Sequence, residues 1–193
     1  IYGNQGGKIT EDAPVIPHST YGASKAAIDA MVQVRWKEAR TPVIALRQFN
    51  CVGERETHPY IVPEIISQLH NHPHKKQVRL GNNSFRDFLD AGDAVKMATE
   101  LLEKGQFGEV YNMGSETGIK MYDLAKLIGK LMGLGDIAVV PDPARVRPWE
   151  IWRLQSDNTK LYSVIGSRAT TSLEESLDST IGYFKSSNYT WGW

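Results

Sequence analysis

The chain has 193 residues, 41% of them hydrophobic, enough to bury the core of one domain or of one part of a larger two-lobed protein. Its 22 Lys and Arg balance its 22 Asp and Glu, which excludes a basic field that could hold nucleic acid or a membrane surface by bulk charge. A single Cys51 excludes an intramolecular disulfide framework, and without a long apolar run or a cleavable leader the expected location is the cytoplasm.

The chain opens at Ile1 without an initiator Met, which predicts a start inside its gene. The stretch from Ile1 to Ser19 is rich in Gly, Pro and polar residues and reads as a surface loop. Ser19 or Thr20 can cap the helix that follows, YGASKAAIDAMVQVRWKEA, whose Ala26, Ala27, Ala30 and Met31 suggest close packing. Pro42 ends that pattern, and VIALRQFN (43–50) reads as a mostly buried strand. A helix around IVPEIISQLH comes next, then a strand near Gln77 to Leu80, an extended segment from Phe85 to Leu89 and a helix from about Ala91 to Glu103. Strand EVYNMG, helix MYDLAKLIGKLMG, strand IAVV and helix TSLEESLDSTIGYFKS, capped by Thr171 or Ser172, complete the chain. This alternation predicts an α/β fold with a parallel sheet, the short strands of the middle and end suiting a smaller mixed lobe.

No Gly-rich turn lies between a strand and a helix, so the sequence shows no receptor for a dinucleotide pyrophosphate. The run GNQGGK at Gly3 has Ile9 where a P-loop needs Ser or Thr, and turn chemistry explains it. Tyr21 and Lys25, four apart on one helix, present their polar ends on one face. A phenol, with a pKa of about 10, is a poor base at neutral pH, and a neighbouring ammonium favours its phenolate. Such a pair could exchange a proton with a sugar hydroxyl while hydride passes to a nicotinamide. With eight Tyr and 12 Lys, however, chance supplies about half such a pair, so spacing alone decides nothing. Tyr122 and Lys126 repeat it on an amphipathic helix whose stripe is Leu124, Leu127, Ile128 and Leu131, and read as helix surface.

Context separates the two pairs. ITEDAPVIPHSTYGASKAA, with IYG before it and LRQFNCVG, GNNSFRDFLDAGDAV, YNMGSETGIKMYDLAKLI and RPWEIWRLQSDNTKL after it in order, resembles the extended short-chain dehydrogenase/reductases, the family of nucleotide-sugar epimerases and 4,6-dehydratases. The resemblance spans almost the whole chain. It implies the C-terminal part of a Rossmann-like fold: residues 1–55 from the Rossmann-like domain, and 56–193 mostly the substrate-binding lobe, with segments near 86–114 returning to the sheet. It makes Tyr21 and Lys25 the catalytic pair and contacts of an NAD or NADP bound mainly by a part of the protein not in this sequence. It places Asn50 near the sugar diphosphate, where the alternative is a side chain capping its own turn. It assigns Arg86 to the nucleotide phosphates, with an ion pair to Asp87 or Asp90 as the alternative. Arg147 would grip phosphate and Glu150 a ribose hydroxyl, although Arg145 and Arg153 stand close enough to leave the registration open.

The last block resembles GDP-mannose dehydratase and related 4,6-dehydratases, which implies C4 oxidation followed by loss of water across C5 and C6. The acidic pair of that elimination would precede Ile1. A 4-epimerase is the close rival, and a fragment or sugar-binding lobe without its cofactor half is the reading from another class. A homodimer through the Tyr21 helix is a further implication, with a nucleotide sugar as the partner and no nucleic acid or membrane. No metal is expected: His70, His72 and His74 read as an exposed loop without a completing ligand. Cys51 reads as a packed residue, and Trp149, Trp152, Trp191 and Trp193 as core or tail packing, with base stacking as the alternative. The 193-residue chain by itself should bind NAD or NADP weakly or not at all and show no turnover. Saturable micromolar NAD binding by calorimetry would contradict this.

Overall fold

The computed structural model describes residues 1–188; Trp191 and Trp193 lie outside the described residues. Its elements are α1 (Thr20–Ala39), β1 (Ala45–Gln48), β2 (Asn50–Val52), α2 (Ile61–Asn71), β3 (Gln77–Leu80), β4 (Phe85–Asp90) and α3 (Ala91–Lys104). They continue with β5 (Val110–Met113), β6 (Gly118–Lys120), α4 (Met121–Leu131), β7 (Ala138–Pro141), β8 (Arg153–Leu154), α5 (Thr159–Tyr162) and α6 (Leu173–Ser186). The α/β class and the parallel pairing expected from the alternation are present: β1 with β5, β2 with β4 and β3 with β7 all run parallel. Among the described residues no helix is long and apolar enough to cross a membrane.

The segment read as one buried strand is two. Ala45 to Gln48 pair with β5, then at Phe49 the chain changes partner and Asn50 to Val52 pair with β4. Only Ala45, Phe49 and Val52 are buried, because Leu46 and Arg47 border a cleft and Gln48 is exposed. β4 divides the architecture. Its first half pairs with β6, antiparallel, and with β8, while its second half pairs with β2. Arg86, on the first half, therefore stands where the two pairings meet.

Two cores flank these strands. One gathers α2, α4 and α6 around β3 and Val52, through Ile65, Leu69, Leu124, Ile128, Leu177 and Phe184. The other sits under α3, with Met97, Leu101, Tyr111, Leu161 and Ile165. Ser172 caps α6 in a reciprocal capping box with Glu175, as the sequence allows. The opening segment departs from a surface loop: it contains no regular element, yet Tyr2 and Ile9 are buried with Phe49 and Ile9 bridges to Ser156. The close packing expected of α1 is not realised, since Gly22 is its one buried residue and Ala27, Ala30 and Met31 are exposed.

Asp87 fastens β4 to the loops after β5 and β8. It is fully buried and accepts from the backbone N–H and hydroxyl of Ser115, the backbone N–H of Glu116, and the backbone N–H and hydroxyl of Ser156. Asp87→Ala strands those donors and should cost about 3 kcal/mol in urea denaturation. A loss under about 1 kcal/mol would contradict this role.

Candidate active site

α1 begins at Ser19, whose side chain accepts from the Gly22 backbone N–H, so Tyr21 and Lys25 stand on the first two turns. Both are exposed, and the Lys25 ammonium lies 5.5 Å from the centre of the Tyr21 ring. Apolar packing on this helix lies toward its C-terminal end, where Trp36 stands 6.2 Å from Phe107, away from Tyr21 and Lys25. A polar relay joins it to β1 instead: Arg47 donates from Nε and Nη2 to the two oxygens of Asp29, at 2.9 and 2.8 Å. Its Nη1 donates to the Tyr2 hydroxyl and the Glu11 carbonyl, and the Tyr2 hydroxyl donates to Asn112 Oδ1 at 2.6 Å. Burial disfavours the guanidinium charge, but its hydrogen bonds to Asp29 and Tyr2 outweigh this and push Arg47 above its ordinary value. Burial in turn raises the Tyr2 phenol, with Arg47 and Asn112 acting against it.

Three adjoining clefts open around the N-terminal turn of α1. The first, of 480 Å³, runs along β1 and is lined by Lys25, Asp29 and Arg47. The second, of 780 Å³, is bordered by Asn50, Cys51, Glu56, Arg86 and Trp149. The third, of 890 Å³, is bordered by His58, Glu64, Arg86, Arg145 and Arg147. Tyr21 alone borders all three.

Asn50, Arg86, Arg147 and Glu150 are brought together on the walls of the second and third clefts. Arg86 Nη2 donates to Glu150 Oε1 at 2.9 Å, so its partner is neither Asp87 nor Asp90. Asp87 is occupied as described, and Asp90 caps α3 and accepts from Ser176. Burial holds the Arg86 guanidinium below its ordinary value, Glu150 offsets part of this, and the Arg147 charge adds to the depression. Two guanidiniums that disfavour each other at one wall could together receive an anion. Glu150 spends one oxygen on Arg86 and keeps Oε2 for another donor. Asn50 Oδ1 is buried with no hydrogen-bond partner among the described residues, so a cap on its own turn is not made.

Of the two neighbouring arginines, Arg153 stacks 4.2 Å above the Phe85 ring and donates to Gln155, away from the clefts. Arg145 faces the third cleft and is paired with Glu64 at 2.7 Å. Glu64 also meets His58 and Gln68; burial would raise it, but Gln68, Arg145 and His58 hold it low. Tyr122 packs against the α2–α4–α6 core and borders none of the three clefts. Trp149 and Trp152 are exposed instead of packed, and Trp149 stands at the mouth of the second cleft. Burial pushes the Cys51 thiol up, which suits packing and opposes a thiolate. His70, His72 and His74 are exposed, and among the described residues no group of His, Cys, Asp or Glu is arranged to hold a metal.

Glu56 is the site residue that reading the sequence missed. It follows a tight turn closed by Glu56 N–H donating to the Gly53 carbonyl, and its Oε2 is buried without a hydrogen-bond partner among the described residues. Burial alone pushes its carboxyl up to about 7.

A nicotinamide cofactor fits the first cleft at one end only. Tyr21, Lys25 and the strand end at Gln48 could meet a nicotinamide riboside, but no Gly-rich strand-turn-helix among the described residues could receive a pyrophosphate.

Over residues 1–180 the chain matches the model of the family described as GDP-mannose 4,6 dehydratase. It is 28% identical over 196 residues to dTDP-D-glucose 4,6-dehydratase of Homo sapiens, covering 99% of this chain and 55% of that protein. The solved dTDP-glucose 4,6-dehydratase of Bacillus anthracis str. Ames, in complex with NAD, superposes with a TM-score of 0.86 at 26% identity, covering 98% of this chain and 60% of that one. UDP-glucuronic acid 4-epimerase of Bacillus cereus, solved with UDP-glucuronic acid and NAD, shares the fold at a TM-score of 0.84 and 24% identity, covering 96% of this chain and 58% of that one. The chain spans about half the length of the curated relatives it matches.

The raised Glu56 carboxyl favours the folded state below its ordinary value of 4.5, and that contribution is lost as pH rises through about 7. Glu56→Gln should therefore match the unsubstituted chain in urea stability near pH 4.5 and exceed it near about pH 8. A difference that stays constant across that window would contradict the assignment.

Proposed function

We propose that this chain, which belongs to the GDP-mannose 4,6 dehydratase family, carries the sugar-binding and proton-transfer machinery of a nicotinamide-dependent nucleotide-sugar 4,6-dehydratase. The observation that carries the proposal is the position of Tyr21, which borders the Lys25 cleft on one side and the arginine-lined clefts on the other. A sugar diphosphate held by Arg86 and Arg147 would bring its hexose toward that phenol.

Tyr21 acts as the base that takes the proton of the C4 hydroxyl as C4 becomes a carbonyl. Lys25, one turn on, favours the phenolate through its charge. When bound, a nicotinamide supplies the acceptor and later the donor of the hydride. Arg86 and Arg147 hold the diphosphate, Glu150 orients Arg86 and offers its second oxygen to a ribose hydroxyl, and Asn50 offers its unpartnered Oδ1 to a donor on the ligand. Trp149 provides an exposed ring against which a base could stack. The exposed apolar residues Ile28, Met31 and Val34 along α1 support a homodimer through this helix.

A 4-epimerase is the second reading, favoured by the same placement of Tyr21, because C4 oxidation opens both reactions. Product analysis separates them: a 4-keto-6-deoxy sugar for the dehydratase, a C4-inverted sugar for the epimerase. In the protein that joins this chain to its cofactor-binding half, Tyr21→Phe should lower C4 oxidation about 10³-fold, and Tyr122→Phe should leave it within about twofold. Equal losses would refute the separation of the two pairs.

A further inference from the structure

The second cleft has a polar group that the roles above leave unused. Glu56 lines it together with Tyr21, Asn50 and Cys51, whereas Arg145 and Glu64 line only the third. The cleft system is thus graded. Arg145 joins Arg86 and Arg147 at the third cleft, and a carboxyl without a cation beside it lines the second, as Tyr21 does.

The turn that presents Glu56 is held from several directions. Arg55 adopts φ 66°, a left-handed conformation that an L-residue of this size adopts at a cost. Ser179 of α6 donates to Glu54 Oε1 at 2.8 Å, and a side chain on Gly53 would come within 2.8 Å of Ala91, so the turn sits tightly against α6 and the start of α3. A strained, anchored turn carrying a desolvated carboxyl with an unpartnered oxygen is costly unless something else supplies the partner. Cys51 packs nearby and offers at most a weak donor. The terminal torsion of a Glu side chain is soft, so a small rotation brings its oxygens to a ligand in the cleft.

We infer that Glu56 is a positioning residue for the sugar moiety: its carboxyl hydrogen-bonds a hexose hydroxyl while Arg86 and Arg147 hold the diphosphate, and so helps turn the reacting carbon toward Tyr21. The inference rests on the nucleotide-sugar reading of the clefts. It assigns discrimination between a nucleotide sugar and its bare nucleoside diphosphate to one side chain outside the phosphate grip.

Calorimetry on the 193-residue chain tests it with GDP-mannose and dTDP-glucose, each against GDP and dTDP. Glu56→Met, which keeps the length of the side chain and removes its polar end, should weaken the nucleotide sugar about tenfold and leave the matching nucleoside diphosphate within about twofold. Glu56→Gln should restore the sugar to within about threefold, because an amide still bonds a hydroxyl. Arg86→Ala should weaken both ligands. Equal effects of Glu56→Met on sugar and diphosphate, or no effect on either, would overturn the role of Glu56 while leaving the clefts as a nucleotide site. Failure of the unsubstituted chain to bind any of the four ligands would overturn the functional reading itself, and this inference with it. Carboxyl 13C spectra of the unsubstituted chain give a readout independent of folding of the variants: the Glu56 resonance should shift with the nucleotide sugar and stay in place with the nucleoside diphosphate. A resonance that ignores the sugar would contradict the contact.

Discussion

The pairing of Arg47 with Asp29 is the constraint on which the site depends. A 20-residue helix that buries one glycine has little hydrophobic reason to stay against a sheet. The bidentate guanidinium–carboxylate contact supplies one, and its geometry fixes rotation as well as distance. Asp29 lies one turn beyond Lys25 and two beyond Tyr21, so the side chain that docks the helix also sets the direction in which the face bearing Tyr21 and Lys25 looks. Both partners are about 10% exposed, which makes the pair costly to break from one side only. Tyr2 extends the contact to Asn112 on β5, and Asn112 in turn donates to the Ile9 carbonyl and accepts nothing from bulk water. The irregular opening segment, α1, β1 and β5 are thereby one polar assembly.

A second assembly, centred on Asp87, holds the opposite wall. By collecting donors from the loops after β5 and β8 it fixes β4, and so fixes Arg86 one residue earlier on the other face of the strand. Alternation along β4 explains the division of labour between adjacent charged residues: Asp87 points into the protein and is spent on structure, while Arg86 lines the cleft and pairs with Glu150. The candidate site lies between these two polar anchors, with the apolar cores of α2–α4–α6 and α3 supporting it from behind.

Much of this was legible in the chain where the signal is local. The helix caps, narrowed to Ser19 or Thr20 and to Thr171 or Ser172, the end of α1 before Pro42, and the alternation of strands and helices all follow from neighbours within a few positions. The ordered family blocks singled out Tyr21, Arg86, Arg147 and Glu150, and the structure brings all four to the walls of the second and third clefts. Long-range polar pairs were not legible: Asp29 and Arg47 are 18 residues apart and Tyr2 and Asn112 are 110 apart, with no spacing rule connecting them. An arginine within the otherwise apolar run VIALRQF was the available hint, since a buried guanidinium demands a carboxylate partner. Glu56 was hidden because it sits in GERET, a stretch whose composition reads as solvated turn. The contacts that anchor that turn, from Ser179 to Glu54 and from Ala91 to Gly53, come from residues far along the chain. Trp149 and Trp152 misled in the opposite sense, because large aromatic side chains suggest a core; here both are exposed, and Trp149 borders the second cleft.

The central claim is that the Asp29–Arg47 contact, and not apolar packing, orients the helix that bears Tyr21 and Lys25. Hydrogen exchange followed amide by amide in Arg47→Met tests it most directly. The account predicts that the α1 amides between Ala23 and Ala39 lose protection selectively, while those of α4 and α6 keep theirs. Loss spread evenly over all three helices, or α1 protection equal to that of the unsubstituted chain, would contradict it.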